Sequence, residues 1–484
     1  CKPKQVHANA VSRPAMLAMC ALAAVGAPGV FGLSADAKAD TLPQALVSAY
    51  RKNPTLAADR ARQRATDEEI ARARSGWRPT VTARGQVAQT DRETKPKDLI
   101  AGRHDRSHGY SVELNQPVFR GFQTLNGERA AEATVSAGQS RLLSTEQQVL
   151  LRAVDAYVSV VRDQAIVSHR SRHQALLSRI LRGTSVRLRA NEVTATDFAQ
   201  ARSRRAAAVA AFNLAKANLQ SSRASYLEVI GNIAGGLRQP PPHTSHVPHS
   251  AQEAGDIAAQ GAPAVTEAQF AAQAAQHTAD RIRGELLPQV DVRARYAQDY
   301  GAGEFRSRDD DLTVSAHLTV PILTNGDIEA RVRQARHQFV RQQHLAEQAS
   351  NAARTRAMAA WAQYTAARAA VASDLQRVDA ARKALFGVRE EENAGQRTVL
   401  DVLNAHEELL LAQIQLAADR RNHVLASYNV LAAIGKLTME TLGLTAHIHD
   451  PSLHLEDIRH RWMGVEISYD DGRHEFLSAP DIVE

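Results

Sequence analysis

Residues 400–435 read LDVLNAHEELLLAQIQLAADRRNHVLASYNVLAAIG, and residues 196–231 read TDFAQARSRRAAAVAAFNLAKANLQSSRASYLEVIG. Each stretch has an Asp at its second position and ends on Ile-Gly, and the two lie 204 residues apart. Upstream of each is one uninterrupted helical stretch, far longer than a helix of an ordinary globular domain. Two alternating segments with a Pro each precede it, namely Pro79 and Pro117, then Pro288 and Pro321. Two copies of strand–strand–long helix–return helix predict a duplicated architecture rather than an enzyme with one cleft.

The N-terminal segment, residues 1–39, has the pattern of a secretory signal peptide. A basic start precedes an apolar stretch from Ala15 to Leu33, and Ala37-Lys38-Ala39 fits a small-x-small cleavage site. A lipid-anchored Cys20 is the alternative, although Met19 before it is bulkier than that processing favours. Cleavage after Ala39 removes both cysteines, so that no disulfide, Cys metal site or Cys nucleophile is predicted. Nothing after position 40 resembles the long, uncharged apolar run of a membrane span, which predicts no transmembrane helix.

Neither charge nor motifs indicate nucleic-acid binding or catalysis. The formal charge is +7, but a net +3 of it lies within residues 1–39 (Lys2, Lys4, Arg13 and Lys38 against Asp36). The remaining charges alternate in sign along helical faces, as on a solvated helix surface. We find no Ser/His/Asp arrangement, Gly-rich phosphate loop or HExxH motif, and the 19 His lack ligand spacing. The sequence therefore predicts no enzyme, no cofactor, no metal site and no nucleic-acid partner.

Four segments of roughly 10 residues alternate between apolar and polar side chains, a length that crosses an outer membrane at a tilt. Their apolar faces include Val81, Val112, Val292 and Val314. Polar loops at Asp91–Ser107 and Asp299–Asp311 are predicted to join each pair. Four strands cannot close a membrane barrel, and an open sheet edge is not tolerated in lipid. Several chains must therefore contribute strands, and the pattern predicts an oligomer.

The long helices carry a coiled-coil seam. In the second copy, apolar residues, many of them Ala, recur in steps of four and three from Ile328 to Val388. At 1.5 Å per residue, a helix over about 122–190 extends roughly 100 Å, enough to cross the periplasm. The return helices are about half as long, so helices at 41–75 and about 265–285 are predicted to stack beneath them.

These features resemble the TolC family of outer-membrane channel proteins over about residues 41–440. The resemblance also rests on four short stretches: Asn53-Pro54, Leu287-Pro288, Val320-Pro321-Ile322 before Gly326, and Gly395-Gln396-Arg397-Thr398-Val399-Leu400-Asp401-Val402-Leu403. The last stretch is similar to the type I secretion branch, in particular to the outer-membrane component of RTX toxin export systems such as that of adenylate cyclase–haemolysin.

The resemblance implies a mainly α fold with a transmembrane β part. As a homotrimer, the chain would form a 12-stranded outer-membrane β-barrel continued by a periplasmic α-helical coiled-coil barrel. The segments would be a signal peptide (1–39), a first structural repeat (40–235), a linker or equatorial segment (236–262), a second repeat (263–439) and an equatorial or irregular tail (440–484). Implied partners are outer-membrane lipid, an inner-membrane ABC transporter, a periplasmic adaptor and an exported polypeptide.

The resemblance also implies a gate at the inner end of the helices. Family channels close with an Asp-x-x-Asp pair, which is Asp401 and Asn404 here. A ring of three Asp401 carboxylates would hold cations near the axis, whereas the ring of Asn404 has no charge. Helix N-capping by Asp197 and Asp401 is the purely structural interpretation of these residues, and it is compatible with a gate.

Holding links in the family join an Arg four residues before the first Asp to a Thr-Asp pair of the other copy. In this sequence the matching residues are Arg397, Thr196 and Asp197. A further, aromatic tie residue lies five positions before that Arg in the family. Glu392 occupies this position here, so that this link departs from the family pattern.

Two other functions remain open from sequence. A channel for small-molecule or drug efflux would have the same architecture, because the inner-membrane partner selects the cargo. An exported coiled-coil scaffold or adaptor would also be rich in long helices. However, adaptors place one hairpin between barrel-like domains, whereas this chain has two matched hairpins.

Overall fold

The computed structural model describes residues 41–94, 101–302, 308–444, 448–469 and 473–476. The predicted signal peptide with Cys20 lies outside the described residues. The first repeat contains α1 (Leu42–Lys52), α2 (Pro54–Arg74), β1 (Thr80–Thr94), β2 (Ala101–Arg120), α3 (Gln123–Arg189) and α4 (Ala195–Ile230). The second contains α5 (Ala251–Gly261), α6 (Pro263–Arg283), β3 (Gln289–Ala302), β4 (Arg308–Thr319), α7 (Asp327–Asn393) and α8 (Val399–Ala433). A C-terminal segment adds α9 (Pro451–His460), β5 (Glu466–Ser468) and β6 (His474–Phe476).

The predicted duplication and the mainly helical fold are confirmed. Helices α3 and α7 each have 67 residues and begin at residues 123 and 327, which are 204 positions apart. At 1.5 Å per residue, each is about 100 Å long. Several seam positions are buried in the single chain, among them Ala335, Ala353, Ala357, Tyr364 and Val378. In the described part of the chain, no helix is both long enough and apolar enough to cross a membrane.

The shorter helices that stack beneath the return helices are broken, where sequence predicted one continuous helix over 41–75. The break falls at Asn53, which is extended (φ −71°, ψ 120°) because Pro54 disfavours helical geometry in the residue before it. The second copy has the same break at Ala262 before Pro263. Residues 236–262 were expected to be a linker or equatorial segment, and Ala251–Gly261 within them form α5, the counterpart of α1.

One antiparallel sheet in the order β1-β2-β3-β4 joins the two repeats through the pairing of β2 with β3. The strands have 15, 20, 14 and 12 residues, longer than the predicted 10. Most of the predicted loops Asp91–Ser107 and Asp299–Asp311 belong to strands, and the segments 95–100 and 303–307 between them lie outside the described residues. Pro117 lacks an N–H to donate, and the register shifts between Pro117 and Phe119.

The register places the apolar side chains of all four strands on one face. Val81 pairs with Leu114, Leu114 with Ala294, and Ala294 with Val314. The next row on this face is Ala83, Val112, Tyr296 and Leu312. The apolar face is open to the surroundings at Val81 (64 % exposed) and Val314 (69 %) and half-buried at Ala294. The polar face is half-buried along the middle of β2 and exposed at Thr82 of β1 and Arg293 of β3. A sheet of a soluble protein buries its apolar face, so that this arrangement is the one expected of a lipid-facing sheet.

Close backbone contact joins the sheet to the helices. The chain turns from β2 into α3 at Gly121, whose φ of 55° is left-handed. A Cβ on Gly121 would lie 2.2 Å from the carbonyl oxygen of Gly284, and a Cβ on Gly284 would lie equally close to the carbonyl oxygen of Gly121. Only glycine fits at both positions, and the ends of β2 and α6 are thereby held together.

The main core lies midway along the long helices, where α1, α3 and α4 meet α5, α7 and α8. Tyr157 and Tyr226 are almost fully buried there, with ring centroids 6.4 Å apart. The linker packs on this region, since the backbone N–H of His243 donates to Ser427 Oγ at 3.0 Å. Residues 440–484 were expected to be an equatorial or irregular tail, and α9 and the β5–β6 hairpin give part of this segment regular structure. Pro451 starts α9 and Asp450 caps it, while Ile458 is fully buried.

Candidate functional site

The candidate site lies at the two turns that end the helical hairpins, between α3 and α4 and between α7 and α8. Both turns use a left-handed residue after the helix, Asn191 (φ 58°) in one and Gly395 (φ 78°) in the other. The N–H of Glu192 then bonds the carbonyl of Arg187 at 2.9 Å, and the N–H of Gln396 bonds that of Glu391 at 2.8 Å. These are matching Schellman motifs, which explain why Asn and Gly follow the helix ends.

Asp197 and Asp401 stabilise the start of the return helices. The N-cap residues are Thr194 and Thr398, and each Asp is the third helical residue of a capping box. Asp401 Oδ2 accepts from the N–H of Thr398 at 3.0 Å and from its hydroxyl at 2.8 Å, and Asp197 repeats this with Thr194. The interpretation of Asp197 and Asp401 as N-caps is therefore wrong. The N-cap is the threonine three residues before each Asp, and the Asp completes the capping box.

Both carboxylates are ionised at neutral pH. The hydroxyl of Thr398, and after it the backbone N–H, lowers the pKa of Asp401, and Thr194 lowers the pKa of Asp197 in the same way. Residues 393–398 are exposed, as are most residues from 189 to 196. Asp197 and Asp401 themselves are half-buried beside these exposed turns, at the end of the hairpins farthest from the sheet.

Arg397 bonds within its own turn. Its Nε donates to Glu391 Oε2 at 2.8 Å, and this bond raises the pKa of Arg397 above its ordinary value. Within one chain, and among the residues that the structure describes, Arg397 is thus engaged by Glu391 rather than by Thr196 or Asp197. A bond from Arg397 to Thr196 or Asp197 would therefore have to form between two chains.

Arg187, which the sequence did not single out, joins the two hairpins. Its Nη1 lies 3.3 Å from Glu392 Oε1, and its Nε lies 3.5 Å from Glu192 Oε2. Glu392, the residue in the position of the family's aromatic tie, thus forms an ion pair with Arg187 of the other hairpin. Arg187 and Glu391 occupy equivalent positions of the 204-residue repeat, and Glu391 is the neighbour of Glu392 in sequence. Opposite charges at equivalent positions were the sequence signal from which this link could have been predicted.

Asn404 is also bonded across the hairpins. Arg204 of α4 donates from Nη2 to Asn404 Oδ1 at 2.7 Å. Asn404, which stands where the family has its second Asp, carries no charge and accepts a bond from the other hairpin. The contacts from Arg187 and Arg204 are sequence-distant polar links between the two hairpins.

Above these links, α3, α4 and α8 pack through a small cluster of Leu177, Ala208 and Leu403. A partly open cavity of about 320 Å³ beside it is lined by Arg170, His173, Arg204 and Glu407, among others. Burial lowers the pKa of His173, and burial together with His173 and Arg389 lowers the pKa of His406 to about 4. Both rings are neutral at pH 7, so the 3.1 Å contact between His173 Nε2 and Glu407 is a hydrogen bond rather than an ion pair.

None of these groups forms a catalytic or metal constellation. Within the described ranges, no three His, Cys, Asp or Glu side chains come together as a metal site. What the arrangement can do chemically is to hold two hairpin ends side by side through exposed, breakable polar bonds. It also places carboxylates at their tips.

Comparison with known proteins places this geometry in a family. The family model described as outer membrane efflux protein matches residues 45–232 and 255–436. Outer membrane efflux protein BepC of Brucella suis biovar 1 is 34 % identical over 443 residues, which are 90 % of this chain and 94 % of that protein. Alkaline protease secretion protein AprF of Pseudomonas aeruginosa is 23 % identical over 370 residues, covering 74 % of this chain and 76 % of that protein.

A solved structure supports the fold. The crystal structure of the Campylobacter jejuni CmeC outer membrane channel superposes with a TM-score of 0.74, covering 88 % of this chain and 90 % of CmeC at 14 % identity. At that identity the likeness concerns the fold alone. The family match over both repeats and the similarity to BepC carry the assignment: the chain belongs to the TolC family of outer membrane efflux proteins, the outer-membrane channels of Gram-negative bacteria that extend into the periplasm.

Proposed function

We propose that this protein is the exit duct of a type I secretion system. An unfolded polypeptide, of the class of RTX toxins such as adenylate cyclase–haemolysin, would pass through it from an inner-membrane ABC transporter and its adaptor to the outside. The segment Gly395–Leu403 carries the proposal. It is the stretch most similar to the type I branch, and its first residues are exposed at the end of a hairpin. The name of AprF, a relative in protease secretion, agrees with this proposal.

Trimer formation is part of the same proposal, and the sheet supports it. In the order β1-β2-β3-β4, strands β1 and β4 each have one unpaired edge within the chain. A lipid-facing sheet requires every edge to be paired, because no water is present to satisfy its N–H and C=O groups. Three chains would join these edges into a closed barrel of 12 strands, and channels of this family are trimers that work with inner-membrane pumps and adaptors.

Small-molecule efflux is the second candidate. The name of BepC, which is 34 % identical to this chain, favours it. The hairpin ends would serve either cargo, because the inner-membrane partner selects what enters the duct.

Deletion of the gene distinguishes the two cargo classes. We expect the culture supernatant to lose the exported polypeptide completely, while the cells still synthesise it and retain it. The measurement is immunodetection in cells and supernatant, with a plasmid-borne copy as the control and drug susceptibility determined in the same strains. Undiminished secretion together with increased drug sensitivity would replace the proposal by the efflux function.

We further propose that Asp401 forms a cation-binding constriction in the trimer. Three carboxylates near one axis attract divalent cations, which would then block the current through the channel. Because Asn404 adds no charge, we expect this block to be modest. Asp401→Asn keeps an oxygen that can accept the Thr398 bonds but removes the charge. In planar bilayers we expect this variant to conduct near the wild-type level with a severalfold weaker block by divalent cations.

The matched control is Asp197→Asn, because Asp197 has the same capping geometry in the other hairpin. An equal loss of block in both variants, or no loss in Asp401→Asn, would place the constriction elsewhere.

A further inference from the structure

An exposed apolar tip projects from the C-terminal segment near the start of the sheet. We define this C-terminal tip as residues 461–465, with Trp462 64 %, Met463 86 % and Val465 58 % exposed. The segment before it is held against the helices. Ile458 of α9 is fully buried, and Nη2 of Arg459 lies 3.7 Å from Oε1 of Glu132 in α3. The tip is therefore held in one place with its largest apolar side chains uncovered within the chain.

Arg78 positions the tip beside β1. Its Nη1 donates to the carbonyl oxygen of Trp462 and its Nη2 to that of Arg461, both at 3.2 Å. The guanidinium carbon of Arg78 also lies 5.8 Å from the centroid of the Trp462 ring, in cation–π geometry. Trp77, the residue before Arg78, is 44 % exposed. Two tryptophans and two arginines are thus gathered where the chain enters the sheet.

We propose that the C-terminal tip inserts into the periplasmic headgroup layer of the outer membrane. Arg78 is three residues before Val81, the first residue of the lipid-facing row on β1, and three extended residues span about 10 Å. The headgroup layer on each side of a bilayer is roughly 5–8 Å thick. Trp prefers this layer because its ring is apolar and its N–H is polar.

Continuity with the lipid-facing surface is the reason to choose lipid as the occupant. The tip lies at the periplasmic end of a strand whose apolar face is already exposed, so that a bilayer covering Val81 meets Trp77 and Trp462 next. The proposal rests on the outer-membrane placement of the family and is independent of the cargo. Coverage by a neighbouring protomer is the alternative, which the experiment below detects.

The three tryptophans of the chain allow a direct test. We would prepare trimers with a single tryptophan: Trp462 alone (Trp77→Phe, Trp361→Phe), Trp77 alone and Trp361 alone. Each is placed in vesicles of phosphatidylcholine, with or without bromine on the acyl carbons nearest the headgroup. Trp361 is the internal control, because its indole N–H bonds the carbonyl of Pro248 at 3.0 Å and it lies 34 residues, about 50 Å, along α7 from the sheet.

We expect brominated lipid to reduce the fluorescence of Trp462 and of Trp77 about twofold and to leave Trp361 unchanged. Adding Arg78→Gln to the Trp462-only protein should weaken the quenching of Trp462, because the bonds that position the tip are lost. Quenching of Trp77 without quenching of Trp462 would overturn the proposal and assign the tip to a neighbouring protomer. Absence of quenching at both would overturn the membrane placement of the sheet as well.

Discussion

Arginine in place of Val112 is expected to destabilise the folded protein in a bilayer by about 2–4 kcal/mol. Val112 lies on the apolar face of β2, opposite Ala83 and Tyr296 in a row that is open to the surroundings. A guanidinium at this position would be forced into the hydrocarbon of the bilayer. The expected loss of folding free energy makes the folding equilibrium constant roughly 30- to 700-fold less favourable. The measurement is denaturant unfolding in phospholipid vesicles, together with the amount of heat-resistant trimer in outer membranes.

Thr82→Arg is the matched control for this substitution. Thr82 lies on the polar face, directly opposite Glu113. The Glu113 carboxylate already pairs with Arg84 at 3.4 Å and would be shared with the new guanidinium. We expect this variant to unfold within about 1 kcal/mol of the wild type. Thr313, on the same face, is a poorer site because Arg295 is its partner. An equal loss of stability for Val112→Arg and Thr82→Arg would mean that the apolar face does not contact lipid.

The helical repeat could be predicted from sequence because its signals are strong and occur twice. The coiled-coil seam continues from Ile328 to Val388, and the ends of the two hairpins match in sequence. These two features leave few alternative folds, and the Asp at each return helix marks its first turn. The break at Asn53-Pro54 was equally visible. The sequence nevertheless favours one helix there, since the hydrophobic pattern continues across the break: Leu42, Leu46 and Tyr50 are buried before it and Leu56 after it.

The ends of the strands could not be predicted in the same way. Alternation of apolar and polar residues reveals a strand only where one of its faces is apolar. The pairing of β1 with β2 continues beyond that region, as in the pairs Gln89–Arg106 and Thr90–Asp105. The backbone ladder continues there without an apolar face. Residues of this kind resemble a polar loop in sequence, which is why the sequence predicts a loop over Asp91–Ser107.

The residues of the site were predicted in part. Asp197 and Asp401 occupy matched positions that the repeat makes visible. Arg187 and Arg204 were missed because their partners, Glu392 and Asn404, are 205 and 200 residues away. Such contacts depend on how the two hairpins are rotated against each other, and no local pattern records that rotation.

Removing the links at the hairpin ends is expected to open the channel. Arg187 and Arg204 join the two hairpins within one chain, and Arg397 is proposed to reach Thr196 and Asp197 of a neighbouring chain once its bond to Glu391 is exchanged. An exposed pair contributes up to about 1 kcal/mol. Because a trimer repeats every link three times, loss of one kind of link shifts the closed–open equilibrium by up to about 3 kcal/mol, on the order of a hundredfold.

Each of the three arginines can be replaced by serine, separately and together. The control is Lys383→Ser, because Lys383 bonds Asp379 at 2.8 Å within α7 and its replacement thus removes a salt bridge that joins no hairpins. We expect the single variants Arg187→Ser, Arg204→Ser and Arg397→Ser to conduct more than the wild type, and the triple variant to conduct most. The trimer should remain assembled in all of them, since none of these side chains is in the core.

The single-channel conductance of the triple variant in a planar bilayer, compared with the wild type and with Lys383→Ser, tests the gated channel most directly. The proposed gate predicts a low conductance for the wild type and for Lys383→Ser, and a severalfold higher one for the triple variant. A triple variant that remains an intact trimer and conducts no more than the wild type would contradict the assignment of the gate to these hairpin ends.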